Sequence, residues 1–192
     1  MKKLVHMAQF NSFEKAIDFS FWKDICEKHG TRRHYARGDY FALCGTMLKE
    51  VGWIVSGGFK HSLIDNAGNL KAVGFVFEGS VLANYTAGIL GRAMPTDIIA
   101  LEDSEVLVVP VDMIKERLHD DPSLDIRFAQ ALFEQAYYHI LHDYRFTPAE
   151  RYFHLVDRYP RITQLVSLSE IASYLNISYR QLHRIRSSAQ KE

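Results

Sequence analysis

The stretch from residue 167 to residue 186 holds two short amphipathic patterns, and it constrains the fold more than any other part of the chain. Ile171 and Leu175 lie at helical spacing in the first pattern, and Leu182 and Ile185 do so in the second. Each pattern begins with a capping box, in which an N-cap serine is followed three residues later by Glu or Gln. Because only a short turn separates them, the stretch predicts a helix-turn-helix.

The second predicted helix leaves a basic and aromatic face outside the packed turn. A recognition helix reads base edges with its first turns and holds phosphates with cations, so this face suits the major groove of DNA. The alternative is an ordinary helical hairpin with a solvated basic face. The outward residues are Tyr179, Arg180, His183, Arg184 and Arg186.

Charge is distributed unevenly along a chain whose formal net charge is zero. From Arg145 to the end, eight cations face four acids, so this segment carries +4 and the remainder −4. This asymmetry is typical of a basic nucleic-acid-binding module joined to an acidic carrier.

A helix ending at Gly30 is predicted first, and a β-rich region follows it, in which β-branched and aromatic runs alternate with Gly, Asp and Asn turns. The segment Asp65–Asn69 lies between two such runs and predicts a hairpin turn. Many short strands without intervening helices are typical of a β-sandwich or jelly roll. The predicted runs are 40–43, 52–55, 59–64, 73–77 and 106–111.

Helical spacing returns at Asp112, which we expect to cap a short helix, and a long helix is predicted from about Ser123 to Tyr144. The long pattern has more apolar positions than one face against one domain requires. We therefore expect two copies to pair in parallel as a C2 dimer, the alternative being a single helix lying on its own barrel. The expected pairing residues are Leu124, Phe128, Leu132 and Ile140.

Thr147–Glu150 begins the next helix with an N-cap, a proline at N1 and a reciprocal carboxylate, and Pro160 ends it. Arg145 and Phe146 would then form a hinge. The predicted fold is α+β in three parts: an N-terminal double-stranded β-helix, or jelly roll, over 1–118; a long dimerisation helix and hinge over 119–145; and a helix-turn-helix DNA-binding domain over 146–192.

This order of elements resembles the Crp/Fnr family of bacterial transcription regulators. The resemblance is carried by the helix-turn-helix, by Thr147–Tyr152, and by Gly38–Asp39 and Gly79–Ser80 at two turns of the roll. It implies a homodimer on a palindromic operator in double-stranded DNA, with RNA polymerase as a partner. It also implies a small effector in the roll that acts through the long helix.

The resemblance also implies roles for single residues. Arg184 falls on the arginine that many members use on guanine, where it would contact O6 and N7. Tyr179 and Arg180 occupy two earlier reading positions with different residue types, and His183 replaces a small residue. Ser169 and Ser178 are placed to contact phosphate.

The effector region departs from the pattern of the family's cyclic-nucleotide binders. Asn84 aligns with their ribose-binding glutamate, and Met94–Pro95 aligns with their phosphate-binding Arg-Ser pair. Methionine and proline supply neither a cation nor amide donors, which argues against cyclic AMP. The predicted effector pocket consists of Asn84, Tyr85, Arg92 and Thr96, with an unidentified effector and no cofactor.

Other functional classes receive little support from the sequence. Cys26 and Cys44 lack a metal-binding spacing, and the His139–His142 pair is interpreted as solvated or interfacial rather than as a metal site. No catalytic constellation stands out, so we do not expect an enzyme. No signal peptide or membrane helix is apparent, which predicts a cytoplasmic protein. The alternative function is a small-molecule-binding, cupin-like β-roll protein or enzyme without DNA binding.

Overall fold

Two antiparallel four-stranded sheets form the N-terminal part of the computed structural model, which describes residues 19–189. Their orders are β1-β8-β3-β6 and β2-β7-β4-β5, and the predicted α+β class with a jelly roll is confirmed. The strands are β1 (Thr31–Tyr35), β2 (Tyr40–Ala42), β3 (Glu50–Ser56), β4 (Gly58–Ile64), β5 (Leu70–Phe77), β6 (Val81–Leu82), β7 (Asp97–Ala100) and β8 (Ser104–Pro110).

Helices precede the roll, interrupt it once and form the remainder of the described chain. They are α1 (Ser20–His29), α2 (Tyr85–Gly88), α3 (Val111–Asp120), α4 (Pro122–Arg145), α5 (Pro148–Arg158), α6 (Ile162–Leu165), α7 (Leu168–Tyr174) and α8 (Tyr179–Ala189). The helix expected before Gly30 is α1, and its predicted N-terminal part lies outside the described residues. The domain boundaries set after residues 118 and 145 stay a prediction.

Three strands were not predicted, and β1 shows why. Its sequence is almost entirely polar, yet it pairs with β8 over its whole length at the edge of the sheet. Arg33 donates two hydrogen bonds to Glu50, of 2.5 and 2.6 Å, and Arg32 pairs with Glu105. Charged residues at an exposed edge discourage pairing with other chains, so this strand lacks the apolar alternation on which strand prediction relies.

The core lies between the two sheets and extends onto helices α1, α2, α3 and α4. Ile54 and Val106 of one sheet and Phe59 of the other are fully buried. Trp22 of α1 and Phe128 of α4 continue this cluster, with their rings 5.3 Å apart in an edge-to-face arrangement. Burial of a large apolar side chain contributes about 1.5–3 kcal/mol, so α1 and α4 are held firmly on the roll.

Helices α3 and α4 are separate, as predicted, but α3 begins differently from the prediction. The side chain of Asp121 accepts hydrogen bonds from the backbone N–H groups of Ser123 and Leu124, and Pro122 is the first residue of α4. Asp112, however, does not cap α3. The helix begins one residue earlier because β8 leads directly into it through Pro110, and Asp112 instead lies in the first turn beside Lys115.

The C-terminal helices form the predicted helix-turn-helix. The capping boxes of Thr147 with Glu150 and of Ser167 with Glu170 are both complete. Asn176 has a φ of 53°, the left-handed conformation expected of the residue that turns the chain between α7 and α8. The short helix α6 fills the segment between α5 and α7.

The helix-turn-helix module packs on the outer face of the second sheet. Ile171 and Leu182 are fully buried in its core, and Ala72, Phe75 and Leu101 of the roll belong to the same cluster. Lys60 of β4 also forms an ion pair with Glu170 of α7. The module is therefore seated on the roll by apolar and charged contacts together.

Candidate nucleic-acid interface and internal cavity

Helix α8 divides into a packed face and an exposed face, as the sequence predicts. Leu182 is fully buried against the module's core, and Ile185 packs beside it. Of the predicted DNA-contacting residues, Arg186 is half-buried and the others are exposed: Ser169, Ser178, Tyr179, Arg180, His183 and Arg184. The geometry thus presents one side of α8 to solvent.

The cations of this face have no acidic partners in the part of the chain that the structure describes. Within residues 19–189, no acidic side chain forms an ion pair with Arg180, Arg184 or Arg186, whereas Arg151 and Arg161 pair with Asp143 and Glu102. The aromatic rings of Tyr179 and His183 lie 6.5 Å apart on the same face. Solvated cations beside flat rings are suited to phosphates and base edges.

The two serines predicted to contact phosphate lie at the beginnings of α7 and α8. The Ser178 hydroxyl accepts a hydrogen bond from the N–H of Gln181, at 3.1 Å, and so caps α8. Ser169 lies in the first turn of α7, where its hydroxyl is 3.0 Å from that of Ser167. Both positions combine an exposed hydroxyl with a helix N-terminus, the end of a helix that favours anions.

A cavity of about 170 Å³ lies inside the roll, between the two sheets, α1, α2 and α4. The predicted pocket residues Asn84 and Tyr85 line it. Thr96 is buried behind the lining, where its hydroxyl lies 3.2 Å from Nδ1 of the lining residue His61. Arg92 is exposed and does not line the cavity.

Two titratable groups of the cavity wall have strongly shifted pKa values. Burial lowers the pKa of His61 to about 4, so its ring is neutral near pH 7. Burial, together with a hydrogen bond to Asp125, raises the pKa of Tyr85 to about 12. The Tyr85 hydroxyl donates this bond to a carboxylate oxygen of Asp125, at 2.8 Å, and thereby joins α2 to α4.

Most of the α4 residues that were predicted to pair with a partner helix pack within the protomer instead. Phe128 is buried in the protomer's own core, and Leu124 and Leu132 are half-buried against the same cluster, so this face of α4 packs within the protomer. Ile140 is exposed. The observed packing differs from the prediction because α4 lies with this face against α1 and the roll. The apolar pattern of the helix does not specify which surface covers that face.

The exposed stripe of α4 is made of other apolar residues. Phe133, Tyr137 and Tyr144 are exposed together with Ile140, and Phe133 and Tyr144 have exposed fractions of 71% and 87%. Successive members are separated by four, three and four residues, the 3.5-residue repeat of a coiled-coil seam. The rings of Phe133 and Tyr137 are stacked, with centroids 6.2 Å apart.

The sequence alone did not predict several of the residues that line the cavity. Trp22, His61, Phe128 and Gln135 come from three widely separated elements, and only the tertiary fold brings them to one space. No local spacing signals their shared position. A neutral histidine on a strand and a glutamine on an amphipathic helix are ordinary residues in such places.

The described part of the chain holds neither a metal-binding cluster nor a membrane-spanning helix. Residues 19–189 contain no group of three or more His, Cys, Asp or Glu side chains placed to hold a metal ion. None of the helices described here is long and apolar enough to span a bilayer. His142 of the predicted histidine pair contacts His154 instead, with Nε2 and Nδ1 separated by 3.3 Å.

Comparison with known proteins gives strong structural matches only. No protein-family model matches the sequence. No curated protein matches it significantly. FixK2 from Bradyrhizobium japonicum is 17% identical with a TM-score of 0.67, and the match covers 84% of this chain and 85% of that one.

Two further solved structures show the same likeness. The global regulator CLP from Xanthomonas campestris, described as responsive to c-di-GMP, is 12% identical with a TM-score of 0.61, covering 91% of this chain and 92% of its own. The catabolite activator protein of Thermus thermophilus is 14% identical with a TM-score of 0.54, covering 88% and 82%. The resemblance to Crp/Fnr regulators seen in the sequence is thus confirmed in the structure, and the chain has the fold of these regulators.

Proposed function

We propose that this protein is a transcription regulator that binds palindromic DNA as a homodimer and responds to a small effector held in the roll. The observation that carries the proposal is the exposed basic face of α8. Arg180 and Arg184 lie there one helical turn apart, without acidic partners among the described residues. Packing within the protomer does not require solvated cations beside Tyr179.

Dimerisation is supported by the exposed apolar stripe of α4. A helix that leaves Phe133, Tyr137, Ile140 and Tyr144 in solvent exposes a contiguous apolar surface, and such surfaces mark interaction sites. The coiled-coil spacing favours a second α4 as the partner. Parallel pairing would relate the two α8 helices by a twofold axis, as a palindromic operator requires.

The route from effector to DNA is proposed to run through α4. Phe128, Leu132 and Gln135 line the cavity, and the exposed stripe follows on the same helix before it reaches the hinge at Phe146. A ligand acts on DNA binding only through different affinities for two arrangements of these helices. The alternative to effector control is a regulator that binds no effector and is constitutively active. RNA polymerase is the further partner that the resemblance implies.

The experiment is selection of binding sites from random-sequence duplex DNA, followed by sequencing, with wild type beside Arg184→Ala. Loss of a bidentate guanine contact costs about 1–3 kcal/mol of discrimination against the other bases. With Arg184→Ala, the enriched palindrome should therefore lose its base preference at one base pair in each half-site. Arg37→Ala, an exposed arginine on the roll, is the matched control and should leave the palindrome unchanged.

The second candidate is a small-molecule-binding β-roll protein that does not bind DNA, and the internal cavity is the observation that favours it. Repeating the selection at two salt concentrations separates the two functions. Binding without sequence enrichment that disappears with salt would leave only phosphate contacts, and would count against the regulator.

A further inference from the structure

Two histidines of different helices meet at the hinge between α4 and α5. His142 lies in the last turn of α4 and His154 lies in α5, and their Nε2 and Nδ1 atoms are 3.3 Å apart. The ring of Phe146, which follows α4, contacts both histidines, with centroid distances of 4.6 Å to His142 and 4.8 Å to His154. These three half-buried rings close the joint between the two helices.

Two further contacts join the end of α4 to the helix-turn-helix module. Arg151 of α5 donates a hydrogen bond to a carboxylate oxygen of Asp143 of α4, at 2.8 Å, and the Arg151 side chain is largely buried. The ring of His139 on α4 lies 6.2 Å from the ring of Tyr174 on α7. The helix that carries the proposed dimer stripe is therefore held directly against the module.

The contact between the two histidines depends on how many protons they carry. A neutral imidazole has one donor nitrogen and one acceptor nitrogen, whereas a protonated ring has two donors. One of the two nitrogens that face each other must accept, so the hydrogen bond requires that His142 or His154 is neutral. Protonation of both rings would replace this bond with two opposed N–H groups and two like charges.

The closed joint resists proton uptake by His142. Burial lowers the pKa of His142 to about 4, the nearby His154 adds to this effect, and Asp143 opposes it. His139 and Arg151 lower this pKa further. A histidine ring in solvent has a pKa of about 6.5. Between these two values, a proton therefore binds the ring of an open joint but not the ring of the closed one.

Other charged or titratable groups face the pair from both helices. They are His139 and Asp143 of α4, and Glu150 and Arg151 of α5. Each carboxylate already has a partner, since Asp143 pairs with Arg151 and Glu150 completes the capping box of α5. A second proton on the pair would thus enter a site whose acids bind other groups.

We propose that the two histidines form a proton-sensitive joint. When both rings are protonated in mild acid, α4 parts from α5, and the helix-turn-helix module is uncoupled from the proposed dimer helix. Protonation of clustered histidines is a general way in which protein interfaces respond to pH. The consequence rests on the proposed function, because an uncoupled module no longer takes its position on DNA from the paired α4 helices.

The test measures amide hydrogen exchange of the intact chain, without DNA, at about pH 7 and about pH 5. Each exchange rate is divided by the rate of an unstructured chain at the same pH, which gives the protection of that amide against local opening. The reporting group is the backbone N–H of Phe146, which donates to the carbonyl of His142 at 3.1 Å. The reference is the backbone N–H of Tyr159, which follows α5 and donates to the carbonyl of Leu155 at 2.9 Å.

The expected change is large enough to measure. A ring whose pKa is about 4 in the closed joint and about 6.5 in the open joint shifts the opening equilibrium about twentyfold between these two pH values. We therefore expect the protection of Phe146, relative to that of Tyr159, to fall by about twentyfold in acid. Because DNA is absent, failure of this test is distinguishable from failure of the proposed function.

Two variants test each member of the pair. His142→Gln removes the titrating ring, and the acid-induced fall in Phe146 protection should shrink to about threefold or less. His154→Gln supplies an amide oxygen that can accept from a protonated His142, so the fall should shrink there as well. His119→Gln, at an exposed histidine of α3, is the matched control and should keep the full fall. Protection of Tyr159 shows that each variant remains folded.

The proposal is overturned by any of three results. The first is a wild-type Phe146 protection, relative to that of Tyr159, that is equal at the two pH values. The second is a full acid-induced fall in His142→Gln. The third is a full fall in His154→Gln, which would show that burial of His142 sets the pH response without its partner.

Discussion

Lys60 of β4 and Glu170 of α7 form an ion pair that joins the roll to the first helix of the helix-turn-helix. Burial raises the pKa of the Glu170 carboxyl, but hydrogen bonds from Lys60 and Ser167 outweigh this effect and hold the pKa below its ordinary value. The same carboxylate completes the capping box of α7. One side chain therefore both begins the helix and anchors it to the roll.

Replacing Lys60 should loosen this anchor. In Lys60→Met, Glu170 keeps its partly buried charge but loses its partner, so we expect the free energy of unfolding to fall by about 2 kcal/mol, between the values for exposed and buried pairs. Urea denaturation measures this free energy of unfolding. Lys115→Met removes an exposed pair with Asp112 and should cost less than about 0.5 kcal/mol. Equal effects of the two substitutions would contradict the anchoring role.

A charge in the exposed stripe of α4 should prevent dimerisation. Ile140→Glu would place a carboxylate in the proposed seam, where it must be desolvated against a partner helix, so we expect a monomer by sedimentation velocity where wild type is a dimer. Ile64→Glu, at another exposed isoleucine, in the β4–β5 hairpin, is the matched control and should remain dimeric. A wild-type monomer at all concentrations would argue against the homodimer.

Stability should fall in mild acid because of His61. Its pKa is about 4 in the folded chain against about 6.5 when unfolded, so the unfolded state binds more protons between these values and stability decreases as pH falls through that window. We expect a loss of about 2 kcal/mol from about pH 7 to about pH 5 through this residue.

The variant His61→Gln should show a weaker decline over the same pH range in urea denaturation. Part of the decline should remain, because burial and the nearby His154 also lower the pKa of His142 to about 4. His119→Gln, at an exposed histidine of α3, should follow the wild-type curve. A wild-type curve that is flat down to about pH 5 would refute the neutral, buried state of His61.

The Tyr85–Asp125 hydrogen bond should hold α2 against α4. Tyr85→Phe keeps the ring in the cavity wall but leaves the Asp125 carboxylate without its donor, and we expect a loss of about 1–2 kcal/mol in stability. Hydrogen exchange should become faster in α2. Tyr40→Phe, at an exposed tyrosine of β2, supplies the comparison and should change neither measurement.

Local signals in the sequence determined the helix ends, the hairpin turn and the helix-turn-helix. Thr147, Ser167 and Asn176 act through backbone bonds and dihedral angles within a few residues of themselves, so their effect does not depend on distant packing. The exposed face of α8 was predictable for the same reason, since the spacing of Leu182 and Ile185 fixes which side of the helix is buried.

Only the tertiary structure decided which face of α4 belongs to the protomer and which residues meet in the cavity. Phe128 and Phe133 are the same residue type on the same helix, yet one is buried and the other is 71% exposed. The choice depends on where α1 and the roll lie, because apolar periodicity defines stripes on a helix but not the surface that covers each stripe. Trp22, His61 and Gln135 become neighbours for the same reason, through contacts between elements that are distant in the sequence.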